Sequence, residues 1–265
     1  MKYKLIAADM DGTLLDDKKI ITPRNLAAIK KAMADGAIFA FSTGRPPIAV
    51  EPYRKIIGEN VPVIAYNGAM VVLGENDIFF NQTLTKEQAT IILEHVRKYN
   101  TMACIWSKNR LYVTELGARA DKYKINVMTE PVLFDDPEAI INQGITKFLW
   151  YDTAERTALF RQELAEPFKK IGLTVCPSTS EYLEFFSSNV SKALSLERIA
   201  KHYGIKREEI IAFGDWENDM EMLQFVNIGV AMGNGKEEVK AVADYVTTSV
   251  DDDGIMRALE HFELI

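Results

Sequence analysis

A chain of 265 residues with 48% hydrophobic content has enough apolar side chain to bury a substantial core, in one large or two smaller domains. Its 31 basic and 38 acidic residues leave a formal charge of -7, which argues against a nonspecific nucleic-acid surface, so any anionic ligand must be held by local cations. No stretch approaches the roughly 20 apolar residues that cross a bilayer, the run after Lys4 is too short for a secretory signal, and Cys104 and Cys176 have neither CxxC nor zinc-ligand spacing; a cytoplasmic protein with reduced thiols, no membrane contact and no obligate protein partner is expected.

In chain order, YKLIAA (3–8) reads as a strand and TPRNLAAIKKAMADG as a helix, with Thr22 as N-cap, Pro23 in the first turn and Gly36 as the stop. AIFAFSTGR is a second buried strand ending in polar residues, PIAVEPYRKIIG a broken helix, and VPVIAYNG a third strand closed by Asn67 and Gly68. Repetition of this unit favours a parallel sheet. From about residue 69 the rhythm changes to hairpin-like pairs: AMVVL and DIFF flank Gly74-Glu75-Asn76, and MACIW and LYVTE flank Lys108-Asn109. Thr85 and Gln88 have capping-box spacing, and the stretch 153–172 carries apolar residues at helical intervals up to Gly172. After residue 189 the first rhythm returns, with a helix in SKALSLERIAKHYG, a strand in EIIAFGD, a strand and turn in VNIGVAMGNG, a helix in KEEVKAVA and a strand in DYVTTS. The expected fold is α/β: a doubly wound, Rossmann-like parallel-sheet domain from residues 1–83 and 188–265, with an α+β domain, residues 84–187, inserted by short connections.

Open parallel sheets bind ligands at the carboxyl ends of their strands, and three apolar runs here end in distinctive groups: Asp9 to Gly12, Ser42 to Arg45, and Gly214 to Asp219. Asp9 and Asp11 crowd like charge at a strand terminus, which is unfavourable unless a cation sits beside them. Asp215 follows another buried run, so the fold brings a third carboxylate to the same point, and a hard divalent cation such as Mg²⁺ suits that oxygen set, with substrate phosphate oxygens taking further positions. A helix opening at GDWENDMEML puts Asp215, Asn218 and Asp219 on one face, with Glu217 solvated elsewhere. For an anion, the Thr43 hydroxyl and Gly44 N–H stand at a strand end, Ser42 points into the fold, and Lys192 occupies a helix start, where a cation is misplaced unless it reaches a bound anion.

The motifs DMDGTL, STGR, the lysine of VSKAL and GDWENDMEML, in that order and with a large insert after the second, resemble the four motifs of the haloacid dehalogenase superfamily of phosphohydrolases. AYNGA, VAMGNG and DDDGI further resemble its Cof-type branch, with an α/β cap between motifs two and three. The resemblance runs from Asp9 to Gly254. It implies a Mg²⁺-dependent phosphomonoesterase for small phosphorylated metabolites, sugar phosphates first. Asp9 is then the nucleophile that becomes an aspartyl-phosphate, and Asp11 is the general acid and then base, its backbone carbonyl serving the metal. Asp9 and Asp215 bind Mg²⁺ through side chains, and Asp219 supports the shell or binds directly. Met10, Thr43, Gly44, Lys192 and Asn218 hold phosphate, and Arg45 contacts phosphate or the body of the substrate. The cap is implied to open for substrate and close against water. Ala193 stands where the family usually has glycine, and Trp216 where a smaller or polar residue is common, so these departures bear on specificity more than on catalysis. A sugar phosphomutase and a non-catalytic phosphometabolite sensor are the alternatives, and the intact Asp11 argues against the sensor.

Other features have plainer readings. Gly233-Asn234-Gly235-Lys236 lacks full P-loop spacing and reads as a turn between strand and helix. Asp251, Asp252 and Asp253 read as an acidic helix start. His95, His202 and His261 are scattered on helical segments without partners at ligand spacing.

Overall fold

The computed structural model describes residues 2–74 and 77–265, and its contacts divide the chain into two units. The first comprises Met1–Gly44, Glu51–Phe79 and Ser191–Ile265; the second comprises Arg45–Val50 and Phe80–Val190.

The chain begins with β1 (Leu5–Ala8), α1 (Pro23–Ala34), β2 (Ile38–Ser42), α2 (Pro47–Ile57), β3 (Val63–Ala65), β4 (Met70–Val72) and β5 (Ile78–Asn81). Thr22 caps α1 by accepting the Asn25 N–H, and Pro23 occupies the first turn, where its missing N–H has no intrahelical partner to lose. Segment 47–57 is one helix rather than a broken one, because Pro52 stands in its second turn and removes a single hydrogen bond. The segment then crosses to the inserted unit: α3 (Lys86–Tyr99), β6 (Met102–Ser107), β7 (Arg110–Val113), α4 (Ala118–Val127), β8 (Val132–Leu133), α5 (Pro137–Gln143), β9 (Lys147–Tyr151), α6 (Ala154–Lys169), β10 (Leu173–Pro177) and β11 (Tyr182–Ser187). It closes with α7 (Lys192–His202), β12 (Ile210–Gly214), α8 (Met220–Phe225), β13 (Ile228–Ala231), α9 (Glu237–Val242), β14 (Tyr245–Val246) and α10 (Gly254–His261).

The first unit is built on an eight-stranded sheet of order β14-β13-β12-β1-β2-β3-β4-β5, drawn from both ends of the chain. From β14 to β3 the pairs are parallel, and β3 with β4 is antiparallel. The pair β4 and β5 thus extends this sheet; the Glu75-Asn76 part of the connection expected there lies outside the described residues. β1 is central and wholly buried, as its unbroken apolar run requires. Right-handed crossovers leave β1 toward β2 and β12 toward β13 in opposite directions, which puts α1 and α8 on opposite faces. That reversal makes the carboxyl end of β1 a switch point.

The second unit has a six-stranded sheet of order β10-β11-β9-β6-β7-β8. β6 and β7 form an antiparallel hairpin whose turn residues Lys108 and Asn109 both take positive φ, as a two-residue turn of matching twist demands. Ile92 and Leu93 of α3, Ile140 of α5, and Phe160 and Leu164 of α6 pack with Phe148, Trp150 and Phe185 on one face of that sheet. The capping box of α3 is present in both directions between Thr85 and Gln88. Among the described residues, no helix is long and apolar enough to cross a membrane.

Candidate active site

Parallel registry brings the predicted strand ends together. Ala8 lies opposite Phe41 of β2 on one side and Phe213 of β12 on the other, so Asp9, Thr43 and Asp215 follow three adjacent strands. The Asp9 N–H continues the ladder to the Phe213 carbonyl at 3.0 Å. One carboxylate oxygen from each of Asp9, Asp215 and Asp219 lies within 4.8 Å of the others, and all three residues are buried.

Lys192, the first residue of α7, reaches into this group: its Nζ lies 2.5 Å from Asp9 Oδ1 and 2.7 Å from Asp219 Oδ1, with no exposure of its side chain. Burial alone works to lower the ammonium's pKa, but attraction to Asp219 and Asp9 overcomes it and holds Lys192 charged beyond the usual lysine range. Burial also pushes the Asp9 carboxyl well above its ordinary value against the pull of Lys192, with Asp219 and Asp215 adding to the rise. Asp215 is raised to about 7, by burial first and Asp219 next, while its hydrogen bond from Thr13 Oγ1 at 2.6 Å works in the opposite direction. The formal sum of three carboxylates and one ammonium is an excess of two negative charges, and the raised carboxyl values are the response of a buried anionic cluster to that excess.

The carboxylates differ in what they have left to give. Asp219 has both oxygens engaged: Oδ1 meets Lys192, and Oδ2 accepts the N–H groups of Asp215 and Trp216, each at 3.1 Å. Asp9 Oδ2 and Asp215 Oδ2 receive no donor among the described residues. Gly12, at φ +84°, leaves room beside the latter, since a Cβ there would stand 2.5 Å from Asp215 Oδ2. Hard oxygen donors, an excess of negative charge and two uncommitted carboxylate oxygens fit a divalent cation.

The motif after β12 is not the single helical face expected from its spacing. Asp215 precedes a short 3₁₀ turn, Glu217–Asp219, and α8 starts only at Met220. Asp219 therefore folds back onto the N–H groups of Asp215 and Trp216, while Asn218 turns to Asn67, its Nδ2 lying 3.0 Å from Asn67 Oδ1. Glu217 is paired rather than solvated, with its Oε1 2.9 Å from Lys236 Nζ. Asp11 stands apart from the buried trio: its half-exposed carboxylate accepts from Lys19 Nζ at 2.7 Å. Met10 is buried, with its carbonyl accepting from Leu14 and Leu15 in the loop after β1. Thr43 is buried between an N–H bond to Ile64 O and a carbonyl bonded to the Asn67 N–H. Gly44 closes the first segment of the first unit, Arg45 is grouped with the second, and Ser42 is buried, pointing inward as expected.

Comparison with known proteins decides the family. The family model for haloacid dehalogenase-like hydrolases matches residues 6–259. The chain belongs to the haloacid dehalogenase-like hydrolases. The 5-amino-6-(5-phospho-D-ribitylamino)uracil phosphatase YitU of Bacillus subtilis is 32% identical over 99% of both chains. A solved haloacid dehalogenase-like hydrolase from Bacteroides thetaiotaomicron superposes with a TM-score of 0.87 at 29% identity, covering 98% of this chain and 100% of that one. The subclass IIB sugar phosphatase BT4131 superposes with a TM-score of 0.85 at 26% identity, covering 99% and 100%. This hydrolase is a phosphatase of the Cof-type branch, on the doubly wound α/β core read from its strand pattern.

In this hydrolase the turn at 233–236 braces the site, a role its sequence did not announce. Asn234 Nδ2 donates to Gly12 O at 2.7 Å while its Oδ1 accepts the Val250 N–H, and the Lys236 N–H donates to Asp215 O at 3.1 Å. Lys236 Nζ also lies 3.7 Å from the centroid of the Trp216 ring, a cation–π contact that fixes the aromatic residue following Asp215. The acidic run at 251–253 leads into α10 as expected, but its last residue reaches the opposite end of the chain: Asp253 accepts from Thr22 Oγ1, pairs with Arg24 and gives no side-chain cap to the helix.

Proposed function

We propose that this phosphatase releases inorganic phosphate from small phosphorylated metabolites, sugar phosphates foremost, with Mg²⁺ as its metal and Asp9 as its nucleophile. The observation that carries the reading is the buried trio of carboxylates around Lys192 with two carboxylate oxygens uncommitted. A relative whose substrate carries a phosphorylated ribityl chain and a structural neighbour described as a sugar phosphatase support the substrate class.

Asp9 and Asp215, with the backbone carbonyl of Asp11, are the residues that would hold the metal, and Asp219, whose two oxygens are engaged by Lys192 and by the Asp215 and Trp216 N–H groups, steadies them. Bound there, Mg²⁺ supplies the positive charge that offsets repulsion between the carboxylates and an incoming phosphate. Lys192, Asn218, the Thr43 hydroxyl, and the backbone at Met10 and Gly44 bind and orient the phosphoryl oxygens. An Asp9 carboxylate oxygen attacks phosphorus as the ester P–O bond breaks, and Asp11 gives its proton to the departing oxygen. Asp11 then takes a proton from water as that water attacks the phospho-aspartate, which frees phosphate and restores Asp9. The half-exposed position of Asp11, paired with a surface lysine, suits a group that exchanges protons with a leaving group and with water.

A panel of phosphorylated metabolites assayed for phosphate release, with Mg²⁺ and with chelator, tests the proposal. Metal-dependent release that favours sugar phosphates and vanishes in Asp9→Asn is expected. Undiminished release by Asp9→Asn overturns the mechanism, and formation of an isomeric sugar phosphate without free phosphate points to a mutase.

A further inference from the structure

The segment after β3 carries the most unusual backbone of the first unit. Tyr66, Asn67 and Gly68 follow one another with φ of 51°, 56° and 100°. Glycine adopts such angles freely and asparagine tolerates them, but a bulky tyrosine does not, so the surroundings must hold this turn in place. Asn67 is 3% exposed, and its environment shows what holds it. Its N–H donates to Thr43 O at 3.0 Å, beyond the end of β2. Its Oδ1 accepts from Asn218 Nδ2 at 3.0 Å, beyond the end of β12. Gly68 meets the start of α7: its carbonyl accepts from Ser195 Oγ at 2.7 Å, and a Cβ on it would fall 2.2 Å from Ser191 O, immediately before Lys192. One turn therefore touches each of the three segments that bring anion-binding groups to the site. The Asn218 amide has a further asymmetry, since its Nδ2 is tied to Asn67 while its Oδ1 is buried with no protein partner.

We infer that Asn67 is a positioning residue for phosphate: its Oδ1 sets the rotamer of the Asn218 amide, and its N–H sets the carbonyl of Thr43. The inference rests on the phosphatase reading and adds to it a residue outside the four motifs. A purely structural role for the turn makes a different forecast, because strain and side-chain contact separate on mutation. Asn67→Gly keeps the left-handed backbone without strain and loses the acceptor; Asn67→Ala loses the same acceptor and adds strain.

Purified wild type, N67G, N67A, N218A and the N67G/N218A double variant are compared for kcat and KM on an aryl phosphate, inhibition by inorganic phosphate, and Tm. Positioning predicts that N67G and N67A share a rise of about tenfold in KM and in the phosphate inhibition constant, with kcat within about twofold, although N67A melts lower. It also predicts that the double variant is no worse than N218A, since both substitutions break one hydrogen bond. Wild-type KM and inhibition constant in N67G, or effects that multiply in the double variant, overturn the inference. Should N67G fail to fold, N67A carries the test with the N67A/N218A double variant: KM of N67A must rise by about tenfold and the double variant must be no worse than N218A, or the inference falls. A wild-type protein that neither hydrolyses the ester nor binds phosphate overturns the reading of the site and this inference with it, whereas a working wild type indistinguishable from N67G overturns the inference alone.

Discussion

Each unit of this protein buries a lysine, and the two are solved differently. In the second unit Lys147 on β9 pairs with Glu184 on β11 at 2.9 Å, one positive charge with one negative, both side chains almost wholly buried. In the first unit Lys192 meets Asp9 and Asp219 at 2.5 and 2.7 Å with Asp215 beside them, so a single cation faces three carboxylates. A matched pair returns in Coulomb energy about what its desolvation costs and can be exchanged for apolar packing. An unmatched cluster cannot be closed by its own residues. The lesson is that burial of charge marks a site only where the charges fail to balance, and here they fail by the amount that one divalent cation supplies.

The strongest way to break this comparison is to remove each lysine. Lys192→Met leaves three carboxylates uncompensated, and phosphate release is expected to fall by about a thousandfold or more. Replacing both members of the other pair, Lys147→Met with Glu184→Leu, is expected to leave Tm within about 5 °C of wild type, whereas Lys147→Met alone costs about 3–5 kcal/mol by stranding a buried carboxylate. A double variant as unstable as the single one would show that the second pair is not self-contained.

Gly12→Ala sharpens the same contrast with a smaller effect. The added methyl group lands 2.5 Å from Asp215 Oδ2 at a left-handed φ, so the magnesium concentration for half-maximal activity should rise by at least about tenfold. An unchanged magnesium requirement would remove Asp215 from the metal set.

The excess charge also has a pH signature. The Asp215 carboxyl, raised to about 7 from 3.8, keeps its proton in the folded state where the unfolded chain has already lost it. The folded state thus binds more protons between about pH 4 and pH 7, and through this group the metal-free protein loses stability as pH rises across that window. A divalent cation displaces the proton, so its affinity rises with pH by up to about tenfold per unit until Asp215 is ionised near pH 7. Tm measured at pH 5 and pH 8, with and without Mg²⁺, should show a metal-induced gain that widens at the higher pH. The smallest effect belongs to Lys19→Met: the pair with Asp11 is about half exposed on both sides, and its loss should move Tm by no more than about 1 °C.

The sheet and the meeting of its strand ends were legible because buried parallel strands are written as unbroken apolar runs, and LIAA, AIFAF and EIIAF each end on the residues now found together. The cluster followed once β1 was taken as the switch point. Residues whose role depends on a partner distant in sequence were not legible. Asn67 followed by glycine announced a turn, but nothing local foretold that Tyr66 would join it at positive φ or that Asn218 would turn to meet it. Spacing at 215, 218 and 219 suggested one helical face; the chain instead makes a 3₁₀ turn, because the Asp219 carboxylate gains two backbone donors and Lys192 by folding back. Likewise Glu217 looked solvated until the turn at 233–236 brought Lys236 to it.

Calorimetric titration of Mg²⁺ into chelator-stripped protein at pH 8, wild type beside Asp215→Asn, tests the charge deficit most directly. Wild type should bind one equivalent, and the variant should bind at least about tenfold more weakly. No binding by the wild type, or equal binding by both proteins, would contradict the account.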